Sequence, residues 1–316
     1  MSASSQSLPQ SPSAASAGLY SVYEHDPPLS APIVFTAVFA VQILAILFRC
    51  LNVRGPTWRK SVGRRWWIVA VPAAVETAGY ALRIASTLNQ TDVGLYISSL
   101  VIILIAPQIS AIIAYAVLIA IVVNFHADGL CPVKARLIAP IWLALDLVAG
   151  ALQGGGGGQQ TNPESVRPGL ILALVGMVLQ TLGFLVFSAV AFLTLRRLSF
   201  TQAWEDRRHA MVHISIALVC TCVAHDIRFV YRVIEFGWQL ATFEPGPNSY
   251  APQIQPVFEY VFDASMMFFA IAVFPTFFYF GELRIPRIRG FEYWFLSKEK
   301  REKELYDTLT DDLAVY

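Results

Sequence analysis

Charged side chains are scarce in this chain. Asp, Glu, Lys and Arg make up 14% of its 316 residues, whereas soluble globular domains have roughly 25%. Hydrophobic residues make up 56%, so the composition excludes a soluble globular protein and indicates an integral membrane protein. The formal net charge is only +1, which by itself says nothing about binding to nucleic acid. We expect no nucleic acid partner for this membrane protein.

Lysines, cysteines and phosphate-binding motifs are missing where several classes of protein need them. Every lysine lies outside the apolar runs, which excludes a retinal Schiff base within the membrane. No glycine-rich run is followed by Lys-Ser or Lys-Thr, so no nucleotide site is expected. The four cysteines lie within apolar runs, at their edges or in a basic loop, which predicts no extracellular disulfide. We expect no cofactor and no bound metal.

The sequence does contain seven apolar runs, each near the roughly 20 residues that a helix needs to cross a bilayer. They cover residues 32–51, 67–88, 95–121, 137–153, 169–195, 211–236 and 257–281. We therefore predict an all-α integral membrane protein in which residues 32–281 form seven transmembrane helices. Residues 1–31 are rich in Ser, Ala and Pro, which predicts a disordered tail. Residues 282–316 mix both signs of charge, as a solvated tail does.

The orientation follows from the positions of Lys and Arg, because basic loops stay on the cytoplasmic side. Basic residues collect in the first, third and fifth loops and after residue 281, whereas the opposite side holds only Arg167. The amino terminus is therefore predicted outside and the carboxyl terminus in the cytoplasm, with the plasma membrane as the expected location. Asn89 opens an Asn-Gln-Thr sequon on an outer loop. It lies so close to the membrane that we expect it to stay unglycosylated.

Charges inside the apolar runs are costly in lipid, and the sixth run carries the most conspicuous set. His225, Arg228, Arg232 and Glu235 are spaced i, i+3, i+7 and i+10, which places them on one helical face. That face must turn toward other helices that supply partners. Apart from Arg49 at the edge of the first run, the runs together hold three arginines against six acids. Either some of the acids are protonated or the interior holds a cation or water. These residues are Arg83, Arg228, Arg232, Glu76, Asp146, Asp226, Glu235, Glu259 and Asp263.

Two other runs place polar groups on one face. Glu76, Tyr80 and Arg83 are spaced i, i+4 and i+7, which is consistent with an ion pair that fixes helix packing or with a site for a headgroup or a proton. Glu259 and Asp263 are spaced i, i+4. These two acids either share a proton or pair with the arginines of the sixth run.

The fourth run ends in an unusual series of glycines. Asp146 and Gln153 share a face at i, i+7, and Gly154 to Gly158 follow directly. We expect these glycines to form a flexible outer loop, with an unwound half-helix whose amides face a substrate as the alternative. Gly150, Gly154 and Gly158 have the spacing of a small-residue track that lets two helices approach closely.

The chain resembles the fungal RTA-like family, the lipid-translocating exporters named for resistance to aminocholesterol. The resemblance runs from the second apolar run to the seventh and rests on a series of short motifs. They are Glu76-Thr-Ala-Gly79-Tyr80-Ala-Leu-Arg83, Ala106-Pro107 followed by Tyr115, Asp146 with Gln153 and the glycines, Gly176 and Gln180, Ile227-Arg228 with Arg232 and Glu235-Phe236, and Glu259-Tyr260-Val261-Phe262-Asp263. It implies a seven-helix membrane protein tied to stress resistance, with members linked to export of sphingoid bases, resistance to sterol-directed drugs and porphyrin movement.

A transporter or floppase for an amphiphile is the function that these features favour. An acidic interior with aromatic side chains suits a cationic amine with a long tail, so the expected partner is a membrane lipid or an amphiphilic small molecule. The binding candidates are the nine charged residues of the runs together with Tyr80 and Gln153. A seven-helix receptor and an intramembrane enzyme with paired carboxylates as general acids stay open as alternatives. We expect no enzymatic activity and assign no catalytic residue.

Overall fold

A computed structural model of the chain describes residues 29–52, 66–90, 92–124, 127–160, 163–201, 208–243 and 256–277. Within these ranges the secondary structure is helical and contains no β-strand. The predicted carboxyl-terminal tail lies outside the described residues, and so does all but the end of the predicted amino-terminal tail.

Seven helices in the described part of the chain are long and apolar enough to cross a membrane. They are α1 (Ser30–Leu51), α2 (Ala70–Leu88, preceded by the 3₁₀ turn Trp66–Val69), α3 (Val93–Asn124), α4 (Ala135–Gln159), α5 (Val166–Leu198), α6 (Arg208–Thr242) and α7 (residues 256–277). The prediction of an all-α protein with seven transmembrane helices is confirmed. The orientation of its termini stays a prediction.

Helices that follow one another in the chain pack side by side, and α7 returns to contact α1 and α2. α3 lies inside the bundle, where it contacts α2, α4 and α6. Large apolar side chains such as Leu147, Val186 and Ile234 are exposed on the outer surface. An apolar outer surface around a helical bundle is what lipid requires, because lipid offers no hydrogen-bond partner to the backbone or to polar side chains.

α4 is longer than the sequence predicted. It includes Gly154 to Gly158, so both the flexible loop and the unwound half-helix are wrong. Each glycine disfavours a helix by about 1 kcal/mol relative to alanine in water. In lipid this cost is outweighed, because an unwound segment would leave its backbone groups without hydrogen-bond partners.

The close contact between α4 and α5 uses a different glycine from the predicted track. A Cβ atom on Gly156 would lie 2.5 Å from the carbonyl oxygen of Gly169 and 2.5 Å from the backbone nitrogen of Ala173. At Gly154 and Gly158 a Cβ atom would meet no other atom within 4 Å. The predicted track is therefore wrong, because residues two apart lie on nearly opposite sides of a helix and α5 packs on the side of Gly156.

Candidate functional site

Asp263 on α7 binds two arginines of α6. Its Oδ1 accepts hydrogen bonds from Nε of Arg228 and, at 3.0 Å, from Nε of Arg232. Its Oδ2 accepts a third from Nη2 of Arg232 at 2.7 Å. All three side chains are buried. The two-point contact with Arg232 fixes the orientation of the carboxylate as well as neutralising its charge.

Arg228 extends these contacts to α2 and α3. Its Nη1 donates to Oε1 of Glu76 at 3.2 Å, and its Nη2 donates to the carbonyl oxygen of Ile103 at 2.9 Å. Since its Nε donates to Asp263, each nitrogen of the guanidinium has an acceptor. One side chain of α6 thereby joins α2, α3 and α7.

Arg83 on α2 pairs with Glu259 on α7. Its Nη2 lies 2.7 Å from Oε1 and 3.0 Å from Oε2 of Glu259, and its guanidinium carbon lies 4.8 Å from the centre of the Tyr96 ring. Arg232 lies 3.9 Å from the same carboxylate and donates from Nη1 to Glu235 at 2.6 Å. The ion pairs of α2, α6 and α7 are therefore continuous.

We call these seven residues the ion-pair cluster; they are Glu76, Arg83, Arg228, Arg232, Glu235, Glu259 and Asp263. The face of α6 predicted from its spacing does turn inward, and its His225 is also buried, with Nε2 2.9 Å from the Ser110 hydroxyl oxygen. Both acids of α7 form ion pairs: Asp263 pairs with the two arginines of α6, as one interpretation predicted, whereas the nearest partner of Glu259 is Arg83 of α2. With every member ionised, the cluster holds one more negative charge than positive.

α7 contains a π-helical turn that begins directly after Glu259 and includes Asp263. It covers Tyr260–Ala264. Both the backbone N–H and the hydroxyl of Ser265 donate to the carbonyl oxygen of Tyr260, the hydroxyl at 2.9 Å. This wider turn accompanies an arrangement in which Glu259 contacts Arg83 while Asp263 contacts α6. Single π turns are rare and recur at functional sites.

Tyr80 lies between the cluster and a stack of aromatic rings. Its ring centre is 5.6 Å from that of Phe35 and 5.9 Å from that of Phe39, both on α1, and 6.3 Å from that of Tyr260. The hydroxyl of Tyr80 and Oε2 of Glu76 are buried and have no hydrogen-bond partner among the described residues. Tyr80 and Glu76 are one helical turn apart on the same face of α2.

Asp146 lies apart from the cluster. It is buried on α4 and accepts a hydrogen bond from the hydroxyl of Tyr115 on α3 at 2.9 Å; within the described ranges it makes no ion pair. Gln153 is buried on the same face of α4. It donates to Oε1 of Gln180 on α5 at 2.7 Å, so its partner comes from α5.

Two further predicted residues lie outside the ion-pair cluster. Asp226 is half-buried on α6 and makes no ion pair with the part of the chain that the structure describes. Asn89 follows the last residue of α2 and is exposed. Thr91, the third residue of its sequon, lies outside the described residues.

The sequence predicts few of the residues on α3 and α5 that contact the candidate site residues. The family resemblance alone indicates Tyr115 and Gln180, and Gln108 is not among the predicted residues. Gln108 and Tyr115 are seven residues apart in a largely apolar helix, and that spacing places them on one face. Tyr96 gives no such indication, because its contact with Arg83 depends on how α2 packs on α3.

Comparisons with known proteins identify a family and two yeast relatives. The family model described as RTA1 like protein matches residues 69–283. Protein RTM1 of Saccharomyces cerevisiae is 24% identical over 238 residues, which cover 72% of this chain and 73% of that protein. Protein RTA1 of the same yeast is 24% identical over 277 residues, which cover 81% of this chain and 84% of that protein. No solved structure matches the chain.

Proposed function

The chain belongs to the RTA1-like family of membrane proteins, and from that premise we propose that it is a transporter that moves an amphiphilic molecule across or out of the membrane. The observation that carries the proposal is the ion-pair cluster. It places three arginines and four acids inside a bundle whose outer surface is apolar. Charged side chains are costly within a membrane, and where they occur they mark substrate and ion pathways.

The charge and surroundings of the cluster favour a substrate with a cationic head. The cluster has one acid more than it has arginines, and Glu76 keeps one oxygen without a partner among the described residues. The rings of Phe35, Tyr80 and Tyr260 lie beside it, and such rings offer contact area to an apolar chain. A sphingoid base or a drug with an amine and a long tail has both features. Export of such a molecule at the plasma membrane would give resistance to it.

Efflux of a labelled sphingoid base, beside a panel of cationic and neutral amphiphiles, tests the proposal in cells that express the protein. The informative variant is Glu235→Gln, because Glu235 is buried and contacts Arg232 at 2.6 Å. The matched control is Ile234→Ala, since the neighbouring Ile234 is 61% exposed on the outer surface. We expect export of at least one class of amphiphile by wild type and by Ile234→Ala, and a rate at least ~10-fold lower for Glu235→Gln.

The same assay with a proton uncoupler identifies the energy source, since no nucleotide motif is present in the sequence. Loss of efflux on uncoupling indicates proton coupling, and unchanged efflux indicates passive movement. If cells with folded wild type at the membrane export no compound faster than cells without it, the transport proposal is wrong. Chemically altered lipids in those cells would then favour the enzyme alternative.

A further inference from the structure

A second set of polar side chains lies between α3, α4 and α5, away from the ion-pair cluster. On α4 it begins at Asp146, whose partner is Tyr115. It continues through Gln153, paired with Gln180 of α5, to Gln160 just after the end of the helix. Fourteen residues of helix separate its ends, a length of ~21 Å. We call this strip the glutamine seam.

α3 also contributes to the seam. A Cβ atom on Gly150, one turn after Asp146, would lie 2.7 Å from Oε1 of Gln108 on α3. The absence of a side chain at Gly150 therefore leaves room for the amide of Gln108. Because Gln108 and Tyr115 are seven residues apart, the polar face of α3 follows that of α4.

The seam carries four buried amide atoms that have no hydrogen-bond partner among the described residues. They are Nε2 of Gln108, Oε1 of Gln153, Nε2 of Gln160 and Nε2 of Gln180. Gln153 and Gln180 are each only 2% exposed and Gln160 only 7%. Buried polar groups in proteins are satisfied almost without exception by protein or by ordered water. Three of these atoms are N–H donors and one is an acceptor. Water molecules can satisfy such a mixture, because water both donates and accepts hydrogen bonds.

Asp146 differs in one respect from the acids of the ion-pair cluster. Asp263 faces two arginines, whereas Asp146 makes no ion pair within the described ranges. A buried carboxylate is costly as an ion unless a cation pairs with it, and such a group takes up a proton instead. Asp146 therefore has the environment of a carboxyl that can exist as the neutral acid.

We propose that the glutamine seam is a water-accessible path that ends at Asp146, and that Asp146 exchanges a proton with the aqueous phase through it. A hydronium ion that enters at the Gln160 end gives its proton to a carboxylate oxygen of Asp146 and leaves as water. The reverse transfer returns the proton. This path requires no movement of a substrate, so it stands whether or not the protein is a transporter.

Among the described residues, few other titratable groups lie near Asp146. α3 contributes Tyr115. α6 contributes Cys222, which lies near that tyrosine, Asp226, which lies near Cys222, and His225, whose ring is 5.4 Å from that of Phe184. On the described part of α5, the rings of Phe184 and Phe187 pack against Tyr115. No arginine of the ion-pair cluster is within ion-pair distance of Asp146, so the two polar groups are separate.

Cysteine labelling tests the path in the full-length protein reconstituted in lipid nanodiscs. The seam variants are Gln153→Cys on α4 and Gln108→Cys on α3, and the control is Val148→Cys on the outer surface of α4, where Val148 is 53% exposed. A charged methanethiosulfonate reagent reacts only where water reaches the thiol. Peptide mass spectrometry reads each position separately, so the native cysteines are retained. We expect at least ~10-fold faster labelling at a seam position than at residue 148.

Carbodiimide labelling of the wild-type protein tests the proton step. Dicyclohexylcarbodiimide modifies protonated carboxyl groups, so we expect the modification on Asp146 and at least ~10-fold less on Asp263, which is buried to the same degree but paired with arginines. The proposal requires both results. Equal labelling of the two aspartates, or seam cysteines that react no faster than the cysteine at 148, overturns it.

Discussion

Asp263 determines how the charges of α6 are held inside the bundle. Its two oxygens accept three hydrogen bonds from Arg228 and Arg232, and both arginines are fully buried. Removing one partner of a buried ion pair is more damaging than never having formed the pair, because the remaining ions stay buried without compensation. The contribution of this residue therefore appears most clearly when its charge alone is removed.

Asp263→Asn keeps the size of the side chain and removes its charge, so we expect it to destabilise the protein by about 3–5 kcal/mol. Asp146→Asn is the matched control, because Asp146 is also a buried aspartate but has a tyrosine hydroxyl as its one side-chain partner among the described residues. We expect this variant to lose about 1 kcal/mol. Thermal unfolding in detergent micelles measures both. Equal losses would mean that the arginines of α6 do not depend on Asp263.

A substitution of Arg228 tests a second buried charge, because its guanidinium contacts three helices through three nitrogens. A lysine has one ammonium group and cannot reproduce that planar set of donors. We expect Arg228→Lys to cost at least about 2 kcal/mol, since hydrogen bonds to charged groups are lost. Arg197→Lys is the control: Arg197 is exposed and donates one hydrogen bond, to the carbonyl oxygen of Leu130 at 3.0 Å.

The same unfolding assay compares the two arginine variants. If Arg228→Lys unfolds at the same temperature as Arg197→Lys, positive charge alone is sufficient at position 228. The geometry of the guanidinium would then have no role in holding α2, α3 and α7 together.

At the scale of whole elements, the contact between α4 and α5 depends on which side of α4 carries glycine. We expect Gly156→Ala to destabilise the protein by about 1–3 kcal/mol, because the added methyl group would lie 2.5 Å from backbone atoms of α5. Gly154→Ala adds the same group where no atom lies within 4 Å, so it should be neutral or stabilise the helix by up to about 1 kcal/mol. Thermal unfolding of the two variants side by side gives the answer. A larger loss for Gly154→Ala would restore the track that the spacing suggested.

The positions of the helices could be predicted from the sequence, whereas two features within them could not. Apolar runs of sufficient length predict transmembrane helices because lipid allows the backbone few other structures. The glycines of α4 suggest a loop by the rules that hold in water, and the helical result depends on lipid and on α5. The π turn at Tyr260–Ala264 has no local sequence pattern that would identify it. It accompanies pairing with arginines on two other helices.

For the candidate site, the sequence predicts which residues share a helical face but not which residues pair between helices. Spacing along α6 correctly placed four polar residues on a buried face, since helical periodicity is a local property. Which acid pairs with which arginine depends on the order and rotation of the helices. The pairing of Arg83 with Glu259, 176 positions later in the chain, is a tertiary result that spacing within one run does not contain.

In the described part of the molecule, two groups of buried polar side chains each connect several helices. The ion-pair cluster lies between α2, α6 and α7, and the glutamine seam lies between α3, α4 and α5. α1 precedes the stretch that the family model matches, yet Phe35 and Phe39 of α1 pack on Tyr80 beside the cluster. α1 therefore encloses the cluster as part of the same bundle, and the side of the membrane on which each region opens follows from the orientation of the whole chain.

The basic loops predict that orientation, with the amino terminus outside and the carboxyl terminus in the cytoplasm. We expect a fluorescent protein fused after Tyr316 to stay protected from protease added to intact cells, and an epitope tag placed before Met1 to bind antibody without permeabilisation. The two fusions control for each other, because seven crossings place the termini on opposite sides. The Gln160 end of the seam would then open outside the cell, between the end of α4 and the start of α5. The reverse result at both fusions would place that end in the cytoplasm, so that Asp146 would exchange its proton with the cell interior.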